Sequence, residues 1–255
     1  MLATQRHNQI QALLQENGAV TIAGLMETFG ISMETARRDL AAMEKEGLLT
    51  RVHGGAIPLS TDQFYRPLKD RLDSQYAQKQ AIAKAATELV EEGDYISIGG
   101  GSTALAFAQA LRQQIRKLTV VTYSLDVFEA LQNFPDYTVL LAGGQLNANE
   151  RVFCGAVTQH FLSGVYVRKC FFFPSVLSME AGIGCYTQPL PKQIVPMLKQ
   201  CDQVYVLADH TKFQKSAPHQ ISPMRQDFIY ITDSGMSDEL RSIYAANRLR
   251  FIFAE

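Results

Sequence analysis

Residues 21–57 read TIAGLMETFGISMETARRDLAAMEKEGLLTRVHGGAI. Thr21 stands where a helix N-cap belongs, and Ile22, Leu25, Met26 and Phe29 form an apolar stripe at helical spacing. Gly30-Ile31-Ser32 is a three-residue turn, and Ser32 caps a third helix over Met33–Glu46. Ala36, Leu40 and Met43 fall at i, i+4 and i+7 and supply its buried stripe. Leu48–His53 is strand-like, Gly54-Gly55 turns the chain, and Ala56-Ile57 returns as a partner strand. Upstream, Gln5–Asn17 carries Ile10, Leu13 and Leu14 on one helical face, and Asn17-Gly18 stops it; Gly47 ends the third helix. Helices joined by a short glycine turn and followed by a Gly-Gly hairpin describe a winged helix-turn-helix over residues 1–57.

The chemistry of that module suits a nucleic-acid duplex. Thr21 and Ser32 each open a helix, where free N–H groups and the positive dipole end face phosphate oxygens. Met33, Thr35, Arg37 and Arg38 lie off the buried stripe near the start of the third helix, the part that reaches base edges in a major groove. Arginine there can bond guanine in pairs, and Arg51 and His53 occupy the wing. Residues 1–60 hold five basic residues (Arg6, Arg37, Arg38, Lys45, Arg51) against six acidic ones (Glu16, Glu27, Glu34, Asp39, Glu44, Glu46). Counterion release needs several phosphate contacts, so two or more modules on one site are expected, in a dimer or tetramer. A near-neutral charge also leaves open a winged helix that binds protein.

After residue 57 the pattern changes. Residues 58–74 read as a linker with Pro58 and Pro67, and Gln75–Val90 as a helix. Seven apolar runs follow: Tyr95–Ile98, Leu118–Thr122, Thr138–Leu141, Cys170–Phe173, Val204–Leu207, Phe228–Thr232 and Leu249–Phe253. Helical stretches at Thr103–Gln113, Leu125–Asn133, Gln188–Gln200 and Asp238–Ala246 separate most of them. The expected class is α/β: residues 75–255 form a mostly parallel sheet covered by helices.

Three strand ends carry polar loops. Gly99-Gly100-Gly101-Ser102-Thr103 ends one strand and opens a helix, a cradle for phosphate or carboxylate. It lacks the Gly-Lys-Ser/Thr of a Walker loop and the glycine spacing of a dinucleotide fingerprint. Ala142-Gly143-Gly144-Gln145-Leu146-Asn147 and Asp209-His210-Thr211-Lys212 follow two other strands. Ligands bind at strand carboxyl ends in open parallel sheets, so the three loops reinforce one another.

The whole of this fits a chain of 255 residues, 47% hydrophobic and 19% charged, with 24 basic and 25 acidic residues. That balance excludes disorder as the main state, and a duplex-binding surface must be local. No apolar run reaches the ~18 residues a membrane span requires, and MLATQRHNQIQ is too polar for a secretion signal, so a cytoplasmic protein is expected. Cys154, Cys170, Cys185 and Cys201 form no C-x-x-C pair, so neither structural zinc nor a disulfide framework is expected.

Residues 5–57, above all Ser32–Leu40 with Gly47-Leu48 and Arg51–Ala56, resemble the DeoR family of bacterial repressors of sugar metabolism. The later loops resemble that family's sensor domain, related in fold to ribose-phosphate and glucosamine-phosphate isomerases and CoA transferases. The resemblance implies a repressor of a carbohydrate-utilisation operon that binds double-stranded operator DNA and responds to a phosphorylated sugar or sugar alcohol. It implies effector contacts at Gly100, Gly101, Ser102 and Thr103, at Tyr123 and Ser124, at Gly143, Gly144 and Asn147, and at Asp209 and Lys212. No cofactor, metal or catalytic residue is implied. The chain departs from the family where Gly99 replaces Asp, over Phe173–Ser178, and at Gln188–Lys192, which carries no acidic residue. Isomerisation needs a positioned base, so a sugar-phosphate isomerase with an attached helix-turn-helix is the alternative these losses disfavour.

Overall fold

The computed structural model describes residues 3–17, 19–46, 48–58, 65–187 and 190–255. Gly18, Gly47, residues 59–64 of the expected linker and residues 188–189 lie outside the described residues. The chain divides into two compact units: residues 1–66, 175–188 and 212–224, and residues 67–174, 189–211 and 225–255.

The first unit begins with α1 (Ala3–Asn17), β1 (Val20–Thr21), α2 (Ile22–Phe29), α3 (Met33–Lys45), β2 (Leu49–Val52) and β3 (Gly55–Pro58). Thr21 and Ser32 cap α2 and α3, accepting hydrogen bonds from Gly24 N–H at 3.0 Å and Thr35 N–H at 3.2 Å. Ile10, Leu14, Leu25, Ala36, Leu40, Met43 and Leu49 close a core in which each is at most 2% exposed. The wing is a three-stranded sheet, β1-β3-β2, because Val20 and Thr21 pair with Ala56 and Gly55. Two residues are too few to show alternation, so β1 leaves no periodic trace in the sequence.

The larger unit opens with α4 (Leu68–Arg71) and α5 (Tyr76–Thr87). Then come β4 (Tyr95–Ile98), α6 (Ser102–Gln114), β5 (Leu118–Thr122), α7 (Leu125–Leu131), β6 (Tyr137–Leu141), β7 (Gln145–Asn147), β8 (Val152–Cys154), α8 (Ala156–Ser163) and β9 (Val167–Phe172). The chain passes into the first unit for β10 (Val176–Ser178) and β11 (Gly182–Cys185) and returns through α9 (Leu190–Lys199) and β12 (Cys201–Leu207). A 3₁₀ turn at His210–Lys212 leads to β13 (His219–Ser222), which pairs with β11, and then to β14 (Ile229–Asp233), α10 (Asp238–Ala246) and β15 (Arg250–Ala254).

All seven expected runs are strands of one parallel sheet, ordered β6-β5-β4-β9-β12-β14-β15. β9 starts three residues before the apolar run. Arg168 and Lys169 extend it, and Lys169 Nζ lies 2.6 Å from the buried carboxylate of Asp94, the residue before β4. Phe171 stacks on Tyr205 at 5.0 Å and meets Phe107 of α6 at 4.6 Å, filling the layer between sheet and helices.

Residues 68–71, read above as linker, form a short helix instead. Leu68 is 2% exposed and its N–H bonds to the Asn149 carbonyl at 3.0 Å. The helix α8, the hairpin β7-β8 and the small sheet β10-β11-β13 are additional to the expected elements. No helix among the described residues is long and apolar enough to cross a membrane.

Candidate functional site

The exposed face of α3 is set by what its other face buries. Ala36, Asp39, Leu40 and Met43 point inward, which leaves Met33 (47% exposed), Arg37 and Arg38 facing solvent. The Ser32 hydroxyl also lies 2.9 Å from that of Thr35, so Thr35 is partly committed to the cap. Arg51 and His53 are exposed on the wing, and Arg51 N–H donates to the Glu44 carboxylate at 2.8 Å, tying β2 to α3. All eight residues named for duplex contact therefore belong to one module, at its cap positions, the open side of α3 and the wing.

Asp39 is a structural residue of the module, not a surface charge. Arg6 of α1 holds it through Nε at 2.5 Å and Nη2 at 2.8 Å, with His7 Nε2 at 3.4 Å. Burial raises the Asp39 carboxyl's pKa, but the Arg6 guanidinium outweighs that and holds it below the usual carboxylate range. The signal was present: Asp39 falls three residues after Ala36, on the buried stripe.

In the second unit the strand order turns back between β4 and β9. A ligand crevice is expected outside the carboxyl ends of the strands at such a point. There lie Gly99-Gly100-Gly101 after β4 and Phe173 after β9. Gly101, at φ +123°, precedes α6 in a conformation open to glycine. It offers no side chain to cap the helix, whereas Thr21, Ser32, Ser124 and Ser237 cap α2, α3, α7 and α10. The first N–H groups of α6 are thus left for an anion, beside half-buried Ser102 and buried Thr103.

The third loop reaches this point by folding back. β6 and β4 are two strand spacings apart, about 10 Å. The β8 end of the hairpin closes that gap, since Phe153 N–H bonds to the Tyr123 carbonyl at 2.8 Å and Val152 bridges to Ser124. Val152 is 2% exposed, and a Cβ at Gly100 would stand 2.6 Å from its Cγ1. Val152 therefore roofs the glycine loop, a role invisible in sequence. Ser124 is buried and its hydroxyl caps α7 through Val127 N–H at 3.4 Å. Tyr123 is buried with its ring beside Gly99, where a side chain would start 3.4 Å from both its hydroxyl and the Phe173 ring.

Gly144 has φ +152°, and a Cβ there would collide with Thr158 Oγ1 and the Cys154 carbonyl. Thr158 donates from that hydroxyl to the Gly143 carbonyl at 2.8 Å. Gly144→Ala is expected to lower stability by about 2 kcal/mol, roughly 6 °C in Tm, by strain and by loss of that bond. Thermal unfolding checks this, and an unchanged Tm would contradict the geometry.

Asp209 is 1% exposed at the end of β12, and its Oδ1 accepts from the Thr211 N–H at 3.1 Å and from the Thr211 hydroxyl. Next to it, His210 Nδ1 lies 2.6 Å from Asp233 Oδ2, a pair made by the β12–β14 register. Lys212, at the end of the 3₁₀ turn, belongs to the other unit. The structure thus gathers Gly100–Thr103, Tyr123 and Ser124 with the roof formed by β8. Asp209 sits two strands from β4 on the opposite side, about 10 Å away.

Comparison with known proteins agrees with both modules. A family model described as a DeoR-like helix-turn-helix domain matches residues 6–62, and one described as the DeoR C terminal sensor domain matches residues 74–234. The chain is 30% identical to the transcriptional repressor AccR of Agrobacterium fabrum, over 98% of this chain and 96% of that one. It is 31% identical to the lactose phosphotransferase system repressor of Staphylococcus aureus, over 83% and 84% of the two chains. With the glycerol-3-phosphate regulon repressor of Escherichia coli it shares 30% identity over 85% of each. With a winged helix ahead of a parallel-sheet sensor domain, and relatives matched along both, the chain belongs to the DeoR family of transcriptional regulators.

Proposed function

We propose that this protein is a repressor of a carbohydrate-utilisation operon, and that a phosphorylated sugar or sugar alcohol seated at Gly100–Thr103 releases it from its operator. The observation that carries the effector half is the uncapped start of α6 at the strand-order reversal, under the Val152 roof. Three relatives named as repressors, two of them for the lactose phosphotransferase system and the glycerol-3-phosphate regulon, support the same reading. Arg37 and Arg38 on α3 read the operator, while Thr21, Ser32, Arg51 and His53 position the module on phosphates. Tyr123, Ser124, Gly143, Gly144, Asn147 and Asp209 complete the effector site or shape its loops. Two or more chains act together, because one near-neutral module makes too few phosphate contacts. The protein works in the cytoplasm, with the DNA it binds.

Catalysis is not part of this reading. Proton transfer on a sugar phosphate requires a carboxylate or similar base at the reacting carbon. Gly99 supplies none, and Asp209 Oδ1 already accepts two hydrogen bonds from Thr211.

The test is a thermal-shift panel of phosphorylated sugars and sugar alcohols, glycerol 3-phosphate among them, since a ligand of the folded state raises Tm. A compound that raises Tm and releases operator DNA, with affinity reduced about tenfold in Ser102→Ala protein, is the expected result. A panel in which nothing shifts Tm or DNA retention would overturn the effector assignment.

A further inference from the structure

Helix α4 is where the chain arriving from the winged helix joins the larger unit. It is held on two sides. The buried Lys79 ammonium of α5 donates to the carbonyls of Arg71 and Ser74. On the other side, Leu68 N–H bonds to the Asn149 carbonyl at 3.0 Å, and Arg71 Nη2 donates to Glu150 Oε2 at 2.6 Å. Glu150 is 7% exposed, and its own N–H bonds to Asn147 Oδ1 at 3.2 Å.

The residues that grip α4 are the same short segment that roofs the glycine loop. Two positions after Glu150, Val152 lies over Gly100. Between them Arg151 is a non-glycine residue at φ +50°, clamped to α7 by Asp126 and by Glu129 at 2.8 Å, while its carbonyl accepts from Leu125 N–H at 2.9 Å. Residues in that backbone region persist only where their surroundings impose it, and they concentrate in switch segments. The segment is thus bonded to α4 through Asn149 and Glu150, to α7 through Arg151 and to the glycine loop through Val152, so a shift at one of these contacts is felt at the others.

We propose that residues 147–152 transmit occupancy of the Gly100–Thr103 cradle to helix α4, and so to the chain that carries the DNA-binding module. Val152 packs against Gly100 at the edge of that cradle, so an anion seated there acts on Val152 through the glycine loop. Glu150 moves with it, and Arg71 and Leu68 follow. A ligand that binds one setting of this segment better than the other then shifts DNA binding by that difference. The inference rests on the regulator reading above.

The test uses full-length protein and hydrogen exchange of residues 66–74, with Val152→Ala and Glu150→Gln as perturbations and Arg71→Glu combined with Glu150→Arg as rescue. Each single variant is expected to speed exchange in 66–74 about tenfold while β4 and β5 stay protected. Each is expected to change operator affinity about fivefold, and the exchanged pair to restore both. If Val152→Ala does not fold, Val152→Ile perturbs the same contact by crowding it. Faster exchange at residues 99–105 with wild-type exchange at 66–74 would overturn the relay, as would Glu150→Gln protein with unaltered exchange there. Wild-type protein that retains no DNA would instead overturn the regulator reading, and the exchange measurement would still decide the relay.

Discussion

Replacing Arg37 and Arg38 together by alanine is expected to weaken operator binding about 100-fold or more, with the fold unchanged. Each arginine that bonds a base edge contributes about 1–3 kcal/mol, and an operator occupied by two modules counts each change twice. Neither side chain is buried, and both lie opposite the Ala36, Asp39, Leu40 and Met43 face, so truncation removes no core contact. The two positions should differ in kind. Loss of a base contact relaxes sequence preference at one base pair, whereas loss of a phosphate contact weakens all sequences alike and lowers the salt slope by about 1. Fluorescence anisotropy with operator and random duplexes at several salt concentrations separates the two. Operator affinity unchanged in the double variant would show that α3 is not the reading helix.

The second large effect concerns Asp39, whose removal is expected to unfold the winged helix rather than merely weaken it. Asp39→Ala leaves the Arg6 guanidinium buried without its carboxylate, a change that costs about 3 kcal/mol. A module of some 55 residues has little more stability than that. Thermal unfolding of the full chain should then show an early transition and loss of DNA retention, with the larger unit unaffected. The pair also predicts an acid limb. Its folded-state pKa lies below the unfolded value, so its contribution is complete above about pH 4 and is lost as pH falls through the folded value. In urea titrations the wild-type module should weaken below about pH 4, and Asp39→Asn should remove that part of the dependence. An Asp39→Asn protein with the wild-type acid limb would place its origin in another group.

The difference between these two arginine–aspartate neighbours, Arg38 exposed and Asp39 buried, follows from helix geometry that the sequence displays. Ala36, Leu40 and Met43 mark the buried stripe, and Asp39 falls on it at i+3 from Ala36. What the sequence does not display is the partner. Arg6 lies 33 positions away on another helix, and only packing α1 against α3 brings it to the carboxylate. The same division runs through the sensor domain. The runs now seen as β4, β5, β6, β9, β12, β14 and β15 are apolar because both faces of a parallel sheet are covered, and that composition is a local property. The strands β7, β10, β11 and β13 are short, and in β7 two of three residues are exposed, so they carry no run or alternation to read.

The chain sequence by itself determined the winged helix, the apolar strands of the parallel sheet, the caps at Thr21 and Ser32, the open face of α3 and the glycine turn into α6. Each depends on residue types a few positions apart, and such spacings fix local backbone and facing. Tertiary structure alone decided that Val152 roofs Gly100, that Glu150 and Asn149 hold the end of the linker, and that His210 meets Asp233. Those contacts depend on strand order and register, which are settled by how distant surfaces pack, and no short stretch of the chain encodes them.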